Sequence, residues 1–395
     1  MKFFFRIAIY LIVFTLLFET TTLAHEELEE RPSLSSEAAI LIDSNSGQVL
    51  YEKYAESNMY PASLTKVATA IYAIEQGNLD DKVTVSEEAS GVIGSSVYIE
   101  EGEQLTLEML VEGLLVNSGN DAGVAIAEHL DGDMEQFSRN LNRYLKEEVD
   151  IKNTNFVNPH GLFDPDHVTT AADLAKITQY AIENETFASI FGIERLEWNG
   201  ENWDATLYTH HKLMREMPYD GVTGGKTGYV SESGPTLITT AEREDIGLIA
   251  VVLKAPNQEA LYQDTTKLLD YGFDHFQTTV IEKGSEYISD NGNDYRAEED
   301  LVFTQIKDEQ PEIELSNDGT LSVQQKVDDL NKSFLLEEVK EDKQQAQVTS
   351  EEGIEAPNSQ TDRFPFTIVF SIIIGMVSLA TVFIKFRKNF KNYNV

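Results

Sequence analysis

The stretch DGVTGGKTGY, Asp220 to Tyr229, decides how the rest of the chain is read. Its GGKTG core looks like a P-loop, whose backbone N–H groups wrap phosphate starting from a glycine five positions ahead of the one that precedes the lysine. Here that position is Asp220, a carboxylate that would repel a triphosphate, and Gly221 falls one residue too late. A P-loop also opens a helix whose N-terminus faces the anion. The run from Tyr229 onward, YVSESGPTLITTAERED, instead carries glycine and proline and then β-branched residues, the pattern of strand, turn and strand. The stretch is therefore a glycine-rich strand, and no nucleotide is expected.

Outward from that strand the pattern alternates between periods. AAILIDSNSGQVLYEK, Ala38 to Lys53, has two apolar-alternating runs around Ser44-Asn45-Ser46-Gly47, a hairpin signal. From Ser63 to about Glu148 apolar residues recur at three and four, as in LTLEMLVEGLL and AGVAIAEHL, and a further helix fits TAADLAKITQYAIEN with Thr169 or Thr170 as cap. TLITTA and IGLIAVVL then read as strands, and a closing helix runs from about Glu259 to Phe276. Strands near both ends of this region with helices between and after them predict an α+β fold, an antiparallel sheet covered by helices with a helical subdomain.

After Phe276 the composition changes to short alternating runs (TTVIEKG, SEYIS, DLVFTQI, EIELS, TLSVQQK) separated by turns such as Asn291-Gly292 and Asp318-Gly319, which predicts a small β-rich domain over 278–336. Residues 337–363 are rich in Glu, Gln, Lys and Ser and read as an acidic flexible stalk that cannot bury a core.

The two ends speak to compartment. Lys2 and Arg6, an apolar run from Ile7 to Phe18 and the exit Thr22-Leu23-Ala24 make residues 1–24 a secretory signal peptide. Phe364 to Ile384 is an uncharged run of 21 residues, which at about 1.5 Å per residue just crosses a hydrocarbon core of about 30 Å. Its flank of Lys385, Arg387, Lys388 and Lys391 places a basic tail, 385–395, in the cytoplasm and the large segment 25–277 with its β domain outside. The expected location is the cell membrane, with a single C-terminal anchor. The absence of cysteine rules out disulfides and thiolate zinc sites, and the formal charge of −38 is concentrated in the exported part, which would be repelled by nucleic acid and by anionic membrane surfaces. Such a surface suits a saline or alkaline exterior.

Three short motifs occur in order. Ser63-Leu64-Thr65-Lys66 precedes the helix-compatible VATAIYAIE, so Ser63 and Lys66, three apart, share a face, and a neutral amine there can take the hydroxyl's proton. Taken alone, the same residues are a serine N-cap and a surface lysine. Ser118-Gly119-Asn120 lies between two helical runs, where it either presents a hydroxyl and an amide to a cleft or merely connects two helices. In Lys226-Thr227-Gly228, a literal strand puts Lys226 and Gly228 on one face and Thr227 on the other, so a bulge or twist is expected if both side chains are to meet one ligand. The glycines also let a substrate backbone come close.

Together, S-x-x-K, S-G-N and K-T-G are far more specific than any one of them. With NPHGLFDPDHVTTAADLAKI at Asn158 to Ile177 and GVTGGKTGYVSESGPTLITTA at Gly221 to Ala241, the chain resembles the low-molecular-weight penicillin-binding proteins, serine D-alanyl-D-alanine carboxypeptidases with a β-lactamase/transpeptidase-like fold. The resemblance covers Ala38 to Phe276. It implies that Ser63 attacks the carbonyl between the two terminal D-alanines of a peptidoglycan stem peptide, with Lys66 as base, Ser118 as proton relay and Asn120 positioning the substrate amide and Lys66. Lys226, Thr227 and Gly228 would meet the terminal carboxylate, backbone N–H groups of Ser63 and Tyr229 would form the oxyanion hole, and Arg243 is a candidate second carboxylate contact. No cofactor and no metal are implied, and β-lactams are expected to acylate Ser63 and leave slowly.

There are departures from the family pattern. Where the family often shows N-x-N-x-L-L, this chain has Thr209-His210-His211-Lys212-Leu213-Met214, and the paired histidines lack a third ligand at zinc spacing. His160 and His167 are expected to shape the NPHGL loop. No E-x-x-L-N element lies between Asn120 and Lys226, which argues against a hydrolysing β-lactamase. A D,D-endopeptidase acting on cross-links, and a β-lactam sensor or cell-wall binding module on the same fold, remain alternatives on sequence alone.

Overall fold

The computed structural model describes residues 31–339. The proposed signal peptide, most of the stalk and the apolar run 364–384 lie outside the described residues. Among the described residues no helix is long and apolar enough to cross a membrane.

The chain opens with a hairpin, β1 (Ala38–Asp43) and β2 (Val49–Lys53). A single 3-10 turn, Ala62–Leu64, runs straight into α1 (Thr65–Gln76). Then come β3 (Lys82–Thr84), α2 (Glu87–Gly91), β4 (Gln104–Thr106), α3 (Leu107–Val116), α4 (Asn120–Asp131), α5 (Met134–Glu148), α6 (Ala171–Glu183) and α7 (Glu185–Phe191). The chain continues through β5 (Arg195–Asn199), β6 (Asp204–Tyr208), β7 (Val222–Val230), β8 (Gly234–Arg243), β9 (Ile246–Leu253) and α8 (Gln258–His275).

Five of these strands make one sheet, in the order β2-β1-β9-β8-β7, antiparallel throughout. The central strand β9 is buried at every position, and its alternate residues serve two cores. Leu248, Ala250 and Val252 pack with Leu261, Leu268 and Leu269 of α8 on one face. Ile249, Val251 and Leu253 face the helical layer on the other. A strand covered on both faces has no solvent side to mark, so IGLIAVVL reads as a continuous apolar run. At the centre of the helical layer α1 is buried from Thr65 to Ala73, and its alanines let neighbouring helices approach closely. Thr170 caps α6 by accepting the N–H of Asp173 at 3.0 Å, which selects it over Thr169.

The β-rich part begins with β10 (Phe276–Ile281), directly at the end of α8, and continues as β11 (Glu286–Ile288), β12 (Asp294–Arg296), β13 (Leu301–Ile306), β14 (Glu312–Leu315), β15 (Thr320–Gln324), β16 (Lys332–Leu335) and β17 (Glu337–Glu338). Glu337 and Glu338, assigned to the stalk by composition, pair instead with Arg296 and Tyr295 of β12. Backbone pairing needs no apolar side chain, so composition is silent about such a strand.

The β-rich part is tied to the main sheet through the β1–β2 turn. Asp43, fully buried, accepts the N–H groups of Asn45 (2.8 Å) and Ser46 (3.2 Å) with one oxygen and the hydroxyls of Thr278 (2.7 Å) and Thr304 (2.6 Å) with the other. Gln48 adds a donated bond to Leu330 O and accepts the N–H of Thr304. A buried carboxylate with four donors is stabilising only while all of them face it, so Asp43→Ala is expected to cost about 3 kcal/mol or more of unfolding free energy, measured by denaturant titration.

Candidate active site

The three motifs converge where α1, the start of α4 and β7 meet. Ser63 sits in the 3-10 turn just ahead of α1, and the turn is reached through Ala62 at φ +50°. That left-handed conformation costs an alanine roughly 1 kcal/mol or more and persists only where surroundings impose it. Pro61 O accepts from Thr236 Oγ1 at 3.1 Å and Ala62 O from Thr65 Oγ1 at 2.8 Å. Two glycines make room for the turn. A methyl built on Gly161 (φ +87°) would lie 1.9 Å from Ala62 O, and one on Gly228 would lie 3.0 Å from the backbone nitrogen of Ser63.

Lys66 is fully buried, and its Nζ has three oxygen neighbours: Ser63 Oγ at 3.0 Å, Asn120 Oδ1 at 2.7 Å and His160 O at 2.6 Å. As an ammonium it donates to all three. Burial holds it well below the ordinary lysine range, the nearby Lys226 lowers it further, and Asp121 partly opposes both. Once one proton leaves, the amide and peptide oxygens can only accept, so they keep the two remaining N–H bonds and the lone pair falls toward Ser63 Oγ.

Asn120 is the first residue of α4, and its side chain is oriented from both ends, because Nδ2 donates to Ile93 O at 2.7 Å while Oδ1 faces Lys66. Ser118, at φ +61°, accepts from Lys226 Nζ at 3.0 Å, and the same ammonium donates to Thr227 O at 3.0 Å. Burial brings Lys226 down to about 7, and an arriving carboxylate would favour its charged form again. Along β7 the ladder is regular from Gly224 onward, with Lys226 opposite Ile238 and Thr227 opposite Leu237. The expected irregularity lies upstream, between Val222 and Gly224, so Lys226 points into the interior and Thr227 is half-buried on the next position of an ordinary strand. Tyr229 stands 65% exposed just beyond Gly228.

His160 and His167 build the wall behind Ser63. His167 accepts the N–H of Val157 on Nδ1 at 3.0 Å, which leaves Nε2 to face Thr65 Oγ1 at 2.8 Å. Burial brings His160 down to about 3 and His167 to about 4, so both are neutral rings. Pro159 O accepts from Thr69 Oγ1 at 2.7 Å, so this loop is stitched to α1. In the Thr209 to Met214 segment His211 is buried beneath Gly225, with Nε2 2.8 Å from Thr239 Oγ1, while His210 remains exposed.

Arg243 is not brought to this cleft. It ends β8 opposite Ile246, five residues beyond Ile238 and thus roughly 16 Å along the strand from the position that faces Lys226. Its guanidinium donates twice to Asp220 O, at 3.0 and 2.8 Å, and stacks between Tyr219 and Phe273 at 4.6 and 4.4 Å. Reading the sequence also missed the carbonyls of His160 and Ile93, since a peptide oxygen leaves no trace in residue type. It missed Asp121 too, although its place directly after S-G-N was visible.

Residues 25–257 match the family model described as D-alanyl-D-alanine carboxypeptidase. The chain belongs to that family. It is similar to the D-alanyl-D-alanine carboxypeptidase DacF of Bacillus subtilis, 32% identical over 68% of this chain and 68% of that one. It is also similar to DacC of Escherichia coli, 33% identical over 70% and 71%. Among solved structures, penicillin-binding protein 5 of Haemophilus influenzae superposes with a TM-score of 0.68 at 28% identity, covering 78% of this chain and 97% of that one. The sheet and helical layer are thus the α+β transpeptidase-like fold of the penicillin-binding proteins. For this carboxypeptidase, Gly161→Ala is expected to lose about 3 kcal/mol of stability together with labelling of Ser63 by a fluorescent penicillin. Arg243→Ala is expected to lower the melting temperature while leaving the labelling rate at that of the wild type.

Proposed function

We propose that this serine-type D-alanyl-D-alanine carboxypeptidase removes the terminal D-alanine from peptidoglycan stem peptides through an acyl-enzyme on Ser63. The observation that carries the reading is the Lys66 amine, buried and held below its ordinary pKa at 3.0 Å from Ser63 Oγ. Lys66 takes the Ser63 proton as Oγ bonds to the carbonyl carbon between the two D-alanines. The C–N bond then breaks as Ser118, in contact with Lys226, relays the proton that Lys66 took to the departing amine, which leaves Lys66 neutral and Ser118 protonated again. Water attacks the ester, returns the proton to Ser63 and releases the shortened peptide.

In this reading Lys226 and Thr227 hold the substrate's terminal carboxylate, an anion that does turn the glycine-rich stretch to use. Ser63 and Tyr229 backbone N–H groups stabilise the oxyanion, an effect commonly worth about 3 to 4 kcal/mol. Gly228 supports this because its missing side chain leaves the Ser63 amide accessible beside β7. β-Lactams enter by the same route and remain as stable esters.

We further propose that residues 1–24 export the protein and that Phe364 to Ile384 anchor it in the cell membrane with the catalytic part outside. The support is the composition of those two segments. Removing residues 364–395 is expected to shift the protein from the membrane to the soluble extracellular fraction.

The test of activity is release of free D-alanine from a diacylated peptide ending in D-Ala-D-Ala, with wild type and Ser63→Ala side by side. Release by the wild type and none by the variant is expected. Release that persists in Ser63→Ala would overturn the assignment, and penicillin labelling without any D-alanine release would favour action on cross-linked substrate. Because Lys66 must be neutral to accept the proton, and its folded value lies well below 10.5, kcat/KM is expected to rise with pH and level off below the ordinary lysine range.

A further inference from the structure

Asp121 follows Asn120 directly and has no part in the steps above, yet it is one of the best-satisfied buried groups in the protein. It is 1% exposed in the first turn of α4. Oδ1 accepts the N–H groups of Val97 at 3.0 Å and Ala122 at 2.9 Å. Oδ2 accepts the Ser96 hydroxyl at 2.5 Å and the N–H of Ile99 at 3.3 Å. Ser96 Oγ accepts in turn from the N–H of Tyr98 at 2.7 Å, and Tyr98 is held at φ +60°, a left-handed conformation that an exposed tyrosine does not choose unaided.

The residues just upstream in the same loop are the ones that hold Asn120. Ser95 O accepts its backbone N–H and Ile93 O accepts Nδ2, both at 2.7 Å. Gly94 lies between them so closely that an added methyl would sit 2.5 Å from Nδ2. An amide can flip end for end, and the Ile93 carbonyl at one end, with the Lys66 amine donating at the other, dictates that nitrogen faces the loop and oxygen faces Lys66.

We propose that Asp121 is a positioning residue for acylation: its carboxylate clamps loop 92–99 onto the start of α4 and so fixes the Asn120 amide with Oδ1 on Lys66. This rests on the reading of Ser63 and Lys66 as nucleophile and base. The clamp also carries charge. Lys66 is surrounded by Lys226 from β7, His160 and His167 from the loop behind α1, and His210 after β6; desolvation and the nearby cations disfavour the charged forms of these histidines, with Asp164 partly opposing at His167. Asp121 is the carboxylate set against them.

The experiment measures the rate of Ser63 acylation by a fluorescent penicillin across pH for the full-length wild type, D121N, S96A and N120A, and for D121N and S96A each combined with N120A. D121N is expected to be slower by about tenfold or more, since small misplacements at a reacting centre are costly. Its acid limb is expected at lower pH, because losing the carboxylate removes an attraction that favours protonated Lys66. S96A, which opens the clamp without changing charge, is expected to be slower by a smaller factor with the limb where the wild type has it. If Asp121 acts through Asn120, the effects of D121N and S96A on rate shrink toward none in the N120A background.

Wild-type rate and limb in D121N, or a D121N loss that is undiminished when Asn120 is already gone, would overturn the proposal. Should D121N fail to fold, the S96A and N120A cycle decides by the same criterion. A wild type that penicillin does not label at Ser63 would instead overturn the underlying assignment of the nucleophile.

Discussion

The structure depends on keeping one amine, that of Lys66, out of water. A lysine with no exposed surface loses the hydration that makes its charged form cheap, and the protein answers with oxygens from three separate stretches of chain. Ser63 comes from the same turn, Asn120 from the head of α4 and the His160 carbonyl from the loop behind α1. Each can be in place only if helical layer, loop and sheet have all assembled. Lys226, reaching in from β7, adds a second buried amine whose charge disfavours that of Lys66, while burial lowers Lys226 itself. In the proposed roles, a serine and lysine that make a weak nucleophile–base pair in water become a competent one because the fold has removed the water.

The backbone around Ser63 carries the complementary cost. Ala62 and Ser118 both stand at positive φ, immediately before Ser63 and at the head of the S-G-N motif. Neither conformation is one the residue prefers, and at Ala62 it is fixed by the close packing of Gly161. Local rules are broken where chemistry needs an unusual direction of approach, while α1, β9 and α8 obey theirs and hold the frame rigid.

Legibility of the chain followed the range of the interactions. The i, i+3 spacing of Ser63 and Lys66 is a property of any helix start and could be read in advance, and the helix cap, being local, could be narrowed to Thr169 or Thr170. Strand periodicity predicts an irregularity at Lys226 and Thr227, but the bulge lies upstream, at Val222 to Gly224, because side-chain alternation does not say where a strand bends. Arg243 was misplaced for a related reason: closeness in sequence to the TLITTA strand says nothing about which end of that strand borders the cleft. The pairing of Glu337 and Glu338 with β12 was invisible because it is made by backbone alone.

By itself the sequence determined the three motifs and their order, the α+β layering and the family, because periodicity and short motifs are written in side-chain identity. Only the tertiary structure decided that Lys66 is dry, that a peptide carbonyl from His160 completes its shell, and that Asp121 and Asn120 are both hydrogen-bonded to loop 92–99. These are facts of desolvation and of backbone hydrogen bonding between segments distant in the chain. Neither is encoded in any one residue's type, and both come into being when the segments meet.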